Sequence, residues 1–593
     1  MRPIRRRLAR GASRGVRQSS RPGDVLPLPT DVVDGAVRLV GSHHEQVRRA
    51  MVVADPTSGG MAAMEALASY LQGFDVTVVR VAVPPERDRD AAHGSVTVVD
   101  VPSLAAWGSV TRRLAPPDLV IDLTEDGKDV HARVWRRGFL NLRQGGVHLV
   151  RHRGGTGPLD DSCARVVHRV VGAVGRGVVE KLPDPRDRAL ATSVETLTLA
   201  PTHTVVVKRG VHHLKVRESE AAKVVTGRSG DVTAQVVARR AAGTLESSTR
   251  LHGALARDGE ELATSVAYPA ATVRVYDGPV TVAPRGLVHA SGMILPESFR
   301  YPYATTLTSP GAHDVDAAFA RVPARHVATR HLSGTYYHLD PFLALHFGHL
   351  MMETVPRLWG WDPVRALYPD AKVILQARIP GDRISTLDRR LLGAYGIDAE
   401  DVVMVDGPVR VDRLAGASPL LHYAEPYSIH PSLSSTWDRL AGALVRPDAD
   451  GRGERIFVSR RAGRLKRECR NTDEVEELFR RFGFTVIYPE VLSLEEQATT
   501  FARARVVAGF GGSGLLSLVY AREVETVIVL NQEGYTARNE YVVSLLLDCD
   551  VHFLWSVGDV PQPDEGWSSE AFFSAWEFDV ERNIDELRGI LGS

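Results

Sequence analysis

Arg505-Val506-Val507-Ala508-Gly509-Phe510-Gly511-Gly512-Ser513-Gly514-Leu515-Leu516 is the stretch on which the fold turns. A short apolar run, of strand length, passes directly into a glycine-rich loop, and the loop enters a second apolar segment that reads as a helix. Such an apolar strand suits a parallel sheet covered on both faces. Working outward, 455–459, 485–488 and 526–530 repeat the buried-strand pattern, while 472–482 and 493–504 read as helices. Ser493 with Glu496 three residues on forms a capping box. Strands alternating with helices predict a Rossmann-like lobe over 446–593.

Upstream the alternation continues. Strands are expected at 371–375, 402–405 and 414–419, helices at 385–395 and 431–445, and a small β-meander over 270–300 with turns at Asp277-Gly278-Pro279 and Pro284-Arg285-Gly286. These define a second lobe, 266–445, joined to the first by a polar hinge at 446–453. Residues 41–160 carry strand patterns at 49–55, 76–83, 118–122 and 146–150. A turn at 56–60 and a helix at 61–71 lie between the first two, so a third Rossmann-like domain is expected. This domain resembles the second half of a class I methyltransferase. It lacks the full glycine-rich loop that would cradle a cofactor, with Ser58-Gly59-Gly60 as a possible remnant. Residues 161–265 read as a connecting region and 1–40 as a basic, disordered tail.

Composition limits the partners. Lys+Arg and Asp+Glu balance at 72 each, so no global field favours nucleic acid. The three cysteines, Cys163, Cys469 and Cys549, form no CxxC pair and imply neither a zinc knuckle nor a disulfide framework. No apolar run is long enough to cross a bilayer. The Arg-rich start, 1–21, lacks the apolar core of a secretory signal. A cytoplasmic location is expected, with peripheral contact between the basic N-terminus and anionic lipid as the sharper reading of the tail.

Chemistry concentrates in two places. In His346-Phe347-Gly348-His349-Leu350-Met351-Met352-Glu353-Thr354-Val355-Pro356-Arg357-Leu358-Trp359, helical spacing would line His346, His349, Glu353 and Arg357 along one face. Two imidazoles, a carboxylate and a guanidinium are costly to bury unpaired, so the row is expected to face a cleft. It holds a candidate base, an orienting carboxylate and an anion clamp. Gly511, Gly512, Ser513 and Gly514 form the second place. Backbone N–H groups entering a helix there favour an anion. Arg460, Arg461, Arg464, Lys466, Arg467 and Arg470 follow the first strand of the same lobe, at its ligand-binding edge. Arginine forks match diphosphate oxygens.

Taken together, His346 to Trp359, Phe457-Val458-Ser459-Arg460, Arg467 to Asn471, Gly483-Phe484, Pro489-Glu490, Leu494-Glu495-Glu496-Gln497 and Gly509 to Leu515 resemble the motifs of glycosyltransferase family 61. The resemblance covers about 270–560. It implies a GT-B pair of Rossmann-like lobes, a nucleotide-sugar donor in the second lobe, inversion at the anomeric carbon and no catalytic metal. The chain departs from the family pattern twice. Gly511 stands where a His is usual, and Val529 where a Glu usually ends the following strand.

The expected α/β architecture is therefore a GT-B pair plus an N-terminal Rossmann-like domain. The expected activity is inverting transfer from a nucleotide sugar, UDP-linked and with no further cofactor, to a glycan or other hydroxyl acceptor in cell-surface or capsular polysaccharide synthesis. His346 or His349 would be the base, with Glu353 as its orienting partner or an alternative base. Arg357, Arg460, Arg467, Asn471, Gln497 and the Gly511–Gly514 loop would bind the donor. Asn471 also reads as a helix cap and Gln497 as a structural side chain. Two rivals stand beside this: a hydrolytic metal centre on His346, His349 and Glu353, and a degenerate transferase that binds glycan or acts as a scaffold.

Overall fold

A computed structural model describes residues 28, 30–41, 48–54, 67, 71, 73–81, 92–93, 96–124, 130–152, 161–253, 262–340, 346–377, 381, 384–447, 453–461 and 466–592. Most of the tail expected at 1–40, the turn at 56–60, most of the helix expected at 61–71, most of the hinge and Arg464 lie outside the described residues. The end of that tail is instead a helix, Thr30–Gly41, whose Val33 and Val40 join the first unit's core. The chain forms two compact units, one running to Thr111 and then over Pro116–Gly210, the other made of Arg112–Ala115 and Val211–Ser593.

The first unit is built on an eight-stranded sheet. Its spatial order is Ala92–His93, Val96–Val101, Phe74–Val81, Arg48–Ala54, Leu119–Asp122, Val147–Arg151, His203–Lys208, Val194–Leu199. The five strands from Val96–Val101 to Val147–Arg151 run parallel; His203–Lys208 is antiparallel to both of its neighbours, and Ala92–His93 is antiparallel to Val96–Val101. Val52, Val78, Ile121 and Leu149 fill the core as the apolar patterns require. The stretch read as a connecting region supplies helices Asp161–Gly175 and Pro185–Ser193 and the two antiparallel strands. Val194–Leu199 is half exposed along its length, so its sequence lacks the buried-strand signature.

The second unit holds the two α/β arrays that position the site. In the larger sheet, Ala271–Ala283 pairs antiparallel with Val409–Ala417. Arg330–His338 runs parallel to Val409–Ala417 on one side and to Lys372–Gln376 on the other, and Val402–Val405 extends that parallel run. The other sheet is wholly parallel, in the order Arg250–His252, Asp550–Ser556, Thr526–Gln532, Val506–Phe510, Arg455–Val458, Thr485–Ile487. Its edge strand Arg250–His252 arrives from far upstream. Thr249 and Ser247 anchor it by donating to the Ser544 and Leu545 carbonyls. Among the other five strands the order reverses between Arg455–Val458 and Val506–Phe510. Ligands of open α/β sheets bind beyond the carboxyl ends of the strands at such a point.

Two local expectations are corrected. His346 to Trp359 is not one regular α-helix: an α turn, Phe347–His349, passes into a π-helical turn, Leu350–Thr354, then a 3-10 turn, Val355–Gly360. Pro356 lacks the N–H that an α-helix would bond to the preceding turn, so the segment changes winding around it. The helix after the glycine loop, Ser513–Tyr520, is likewise wound as 3-10. One apolar core nevertheless gathers Leu350, Val355 and Leu358 with Leu515, Leu516 and Leu518.

A buried ionic knot braces this unit. Arg274, fully buried, pairs with Glu218 and with Glu297 at 2.7 Å. Tyr276 donates to Glu297 at 3.0 Å, and Ser418 donates to Glu218. The Ser418 carbonyl in turn accepts from Trp359 Nε1 at 3.0 Å, which ties the knot to the His346 segment. Removing one partner of a buried pair leaves an uncompensated charge. Glu297→Ala is expected to destabilise the unit by about 3 kcal/mol, read as a lowered denaturant midpoint, with Glu297→Gln costing less. A loss of about 1 kcal/mol or less for Glu297→Ala would show that the knot is not a brace.

Candidate active site

The first wall is built on Glu353. It is almost fully buried at 3% exposure, and its Oε1 accepts from three donors: His349 Nδ1 at 2.6 Å, Arg300 Nε at 2.9 Å and Tyr423 OH at 2.5 Å. The π-helical turn sets His349 and Glu353 four residues apart on adjacent turns, so the imidazole meets the carboxylate edge-on. Burial alone would raise the Glu353 pKa. Taken together, the hydrogen bond and charge of His349, then Arg300 and Tyr423, outweigh it and hold the carboxyl below its usual range. Tyr423 is pushed well above the ordinary phenol value, first by burial and then by the Glu353 charge, so it stays a donor. Arg300 also lies over the Tyr301 and Tyr423 rings, at 5.0 and 5.4 Å. An Nδ1–H bonded to Glu353 leaves Nε2 as the basic nitrogen of His349.

His346 stands just before the α turn, its ring 4.9 Å from that of His349 and nearly perpendicular to it. Partial desolvation, then the neighbouring charges of His349 and Arg467, pull its pKa below the usual histidine value. Arg467 belongs to the second wall. The two walls meet where a Cβ on Gly348 would lie 3.2 Å from both Ser513 Cβ and His346 Cε1. A side chain at this position would press on both neighbours.

The second wall lies at the switch point of the parallel sheet. Arg460, after Arg455–Val458, and Arg467 both donate to the carbonyl oxygen of Gly511, Arg467 from Nη1 at 3.3 Å. A Cβ at Gly512 would strike Arg460 Nη2 at 2.5 Å, and one at Gly511 would strike Asn531 Oδ1 at 2.1 Å. Arg467 adopts a left-handed backbone, φ 56°, held by its own N–H to the Phe573 carbonyl at 3.0 Å. Its guanidinium lies 4.2 Å over the Tyr535 ring. Beneath the loop, fully buried Glu540 accepts from the Gly512 N–H. Its pKa is raised because burial outweighs that hydrogen bond and the nearby arginines. The Gly512 amide is thus engaged within the protein, and the exposed positive character of this wall comes from the two guanidinium groups.

The structure therefore brings together His346, His349 and Glu353 on one side and Arg460, Arg467, Gly511, Gly512 and Ser513 on the other. The other candidates make contacts within the protein. Arg357 is buried and donates to the Glu353 carbonyl at 2.9 Å. Asn471 holds both the N–H and the carbonyl of Phe578, at 2.9 Å each, and so ties its helix to the chain's later turn. Gln497 spans the Pro489 and Leu492 carbonyls and accepts from Ser517. Gly514 packs on Val458, where a Cβ would sit 3.1 Å from Cγ1. Arg470 is paired outward with Asp559 and Glu577. Arg300, Tyr423, Tyr535 and Glu540 escaped the sequence reading. Their one local signal is a charged or hydroxylated residue set among aromatic or apolar neighbours, as in Phe299-Arg300-Tyr301 and Glu540-Tyr541-Val542-Val543.

Residues 347–529 match the family model described as Glycosyltransferase 61. This segment is similar to that family. The two departures from the family pattern have visible neighbours. Asn531 fills the space that a side chain at Gly511 would take. Val529 is sealed in the core, and Glu533 pairs outward with Arg582, so the buried carboxylate beside the loop is that of Glu540. No curated protein matches the chain. Among solved structures, it is similar to the methyltransferase MycE of the mycinamycin biosynthetic pathway, in complex with Mg and SAH. That match has a TM-score of 0.23 and 14% identity, over 30% of this chain and 49% of that one. PigF with SAH matches with a TM-score of 0.17 and 15% identity, over 29% and 53%. The chain thus spans about half the length of these neighbours.

Among the described residues no group of three or more His, Cys, Asp or Glu is placed to hold a metal ion. No described helix is long and apolar enough to cross a membrane. Because the folded-state pKa of Glu353 is depressed, its ionisation stabilises the fold above the ordinary carboxylate value. That contribution is lost as pH falls through the depressed one. The stability gap between wild type and Glu353→Gln, measured by denaturant titration, should be widest near neutral pH and close as pH falls below about 4. A gap unchanged across that range would mean that the fold does not depress the carboxyl's pKa.

Proposed function

We propose that the segment similar to glycosyltransferase 61 and its flanking strands transfer a sugar, with inversion, from a UDP-linked donor to a hydroxyl of a glycan acceptor. The family match supports glycosyl transfer, and the meeting of the Glu353–His349 wall with the Arg460–Arg467 wall carries the mechanism. The acceptor O–H donates to His349 Nε2. As the oxygen–carbon bond forms at the anomeric carbon, the bond to the diphosphate oxygen breaks and its electron pair leaves with the diphosphate. His349 takes the proton, and Glu353 stabilises the imidazolium so formed. Arg460 and Arg467 stabilise the departing charge. His346, held towards its neutral form beside Arg467, is placed to accept a hydrogen bond from a sugar hydroxyl.

In this reading the two sheets of the second unit are the lobes of a GT-B pair, the parallel one holding the donor. Arg357, Asn471 and Gln497 act through packing and backbone hydrogen bonds, so their substitution would affect stability before substrate affinity. We place the transfer in surface or capsular polysaccharide assembly at the cytoplasmic side of the membrane, with the basic N-terminus as a peripheral contact. No cofactor beyond the donor is invoked.

A panel of nucleotide sugars offered with glycan acceptors, followed by NMR of the product's anomeric centre, tests the proposal. Transfer with inversion is expected. His349→Ala should lose about 10²- to 10⁴-fold in kcat, and Arg467→Ala about 10²- to 10³-fold. Full turnover by both variants, or a retained configuration, would contradict the mechanism. Donor binding without turnover would favour the binding-protein reading.

A further inference from the structure

The loop after strand Asp550–Ser556 carries Trp567, 58% exposed and the one aromatic side chain among the described residues to stand so open. A single exposed apolar residue needs no explanation. Its placement here does. Trp567 rises from the same carboxyl edge of the parallel sheet as Arg460, Gly511 and Tyr535, where ligands of such sheets lie. The loop is also fixed in place. Gln562 Nε2 donates to the Gly534 carbonyl at 2.9 Å and the Ser568 carbonyl at 3.2 Å, while its Oε1 accepts from Ser568 N–H at 2.8 Å. Gln532 donates to the Ala571 carbonyl at 3.0 Å and accepts from Gly534 N–H at 2.6 Å. The ring is thus presented on a rigid support joined to the end of strand Thr526–Gln532.

From Trp567 a relay of rings leads to the cationic wall. Trp567 and Phe572 are 5.5 Å apart, Phe572 and Tyr535 4.9 Å, and the Arg467 guanidinium lies over Tyr535 at 4.2 Å. Arg467 then reaches the Gly511 carbonyl. An exposed aromatic ring joined through Phe572 and Tyr535 to paired cations is an arrangement that can take a nucleotide, base on the outer ring and phosphates on the charge. All of these rings lie outside the segment matched by the family model.

We infer that Trp567 is the stacking platform for the base of the nucleoside diphosphate whose phosphates Arg460 and Arg467 hold, an assignment that rests on the donor-pocket reading above. Stacking accepts any base, so Trp567 adds affinity without selecting the base.

Calorimetric titration of the full chain with UDP, GDP, inorganic pyrophosphate and a methyl glycoside tests it. Trp567→Ala should weaken UDP and GDP by roughly 5- to 100-fold and leave pyrophosphate unchanged. Trp567→Phe should recover most of the loss, and Arg467→Ala should weaken all three phosphate ligands. If Trp567→Ala binds UDP and GDP as wild type does while Arg467→Ala does not, the platform is refuted and the donor pocket stands. Equal weakening of pyrophosphate would mean that Trp567 acts by positioning Arg467, which also refutes stacking. Loss of glycoside binding with nucleotides unaffected would make it a sugar platform instead. Failure of wild type to bind either nucleoside diphosphate overturns platform and pocket together.

Discussion

Two guanidinium groups converge on the carbonyl oxygen of Gly511, and this convergence sets the demands on everything around it. Like charges brought together need negative character close by. The carbonyl dipole supplies part of it and the face of Tyr535 part. The loop must also be thin, since any side chain at Gly512 would displace Arg460. What remains is a compact positive surface at the sheet's switch point, set to gain most from a bound dianion. The left-handed backbone at Arg467 shows that the chain accepts local strain to aim that side chain.

The facing wall obeys a complementary constraint. Glu353 is a buried carboxylate that would be costly alone, and three donors share its Oε1. Each donor comes from a different part of the chain: His349 from the same turn, Arg300 from the loop after Phe299, and Tyr423 from beyond strand Leu421–His422. The imidazole orientation is therefore over-determined, as precise proton transfer requires. The knot around Arg274 and Ser418 carries that precision outward through Trp359.

Parallel strands with continuous apolar runs, such as Val506–Phe510 and Thr526–Gln532, were legible in sequence because burial on both faces leaves an unbroken signature. The pairing of His349 with Glu353 was legible because a spacing of four survives the change from α to π winding. Arg250–His252 was not, since joining the sheet of residues some three hundred positions later leaves no local mark. Nor was the division of the basic cluster. Arg460 and Arg467 turn inward and Arg470 turns out to Asp559 and Glu577, and only the tertiary positions of those acids distinguish the three. Asn471 and Gln497 were readable either as ligands or as structural side chains, because polar side chains beside a pocket and those stapling backbone have the same composition.

On the proposed function, the His349–Glu353 pair and the Arg460–Arg467 pair confront one bound diphosphate. A crystal structure of the chain soaked with a nucleoside diphosphate measures this directly. The account predicts the terminal phosphate within hydrogen-bonding distance of both guanidinium groups, on the side of the loop that faces His346 and His349. A phosphate bound on another edge of the sheet, or imidazoles turned away from it, would contradict the account.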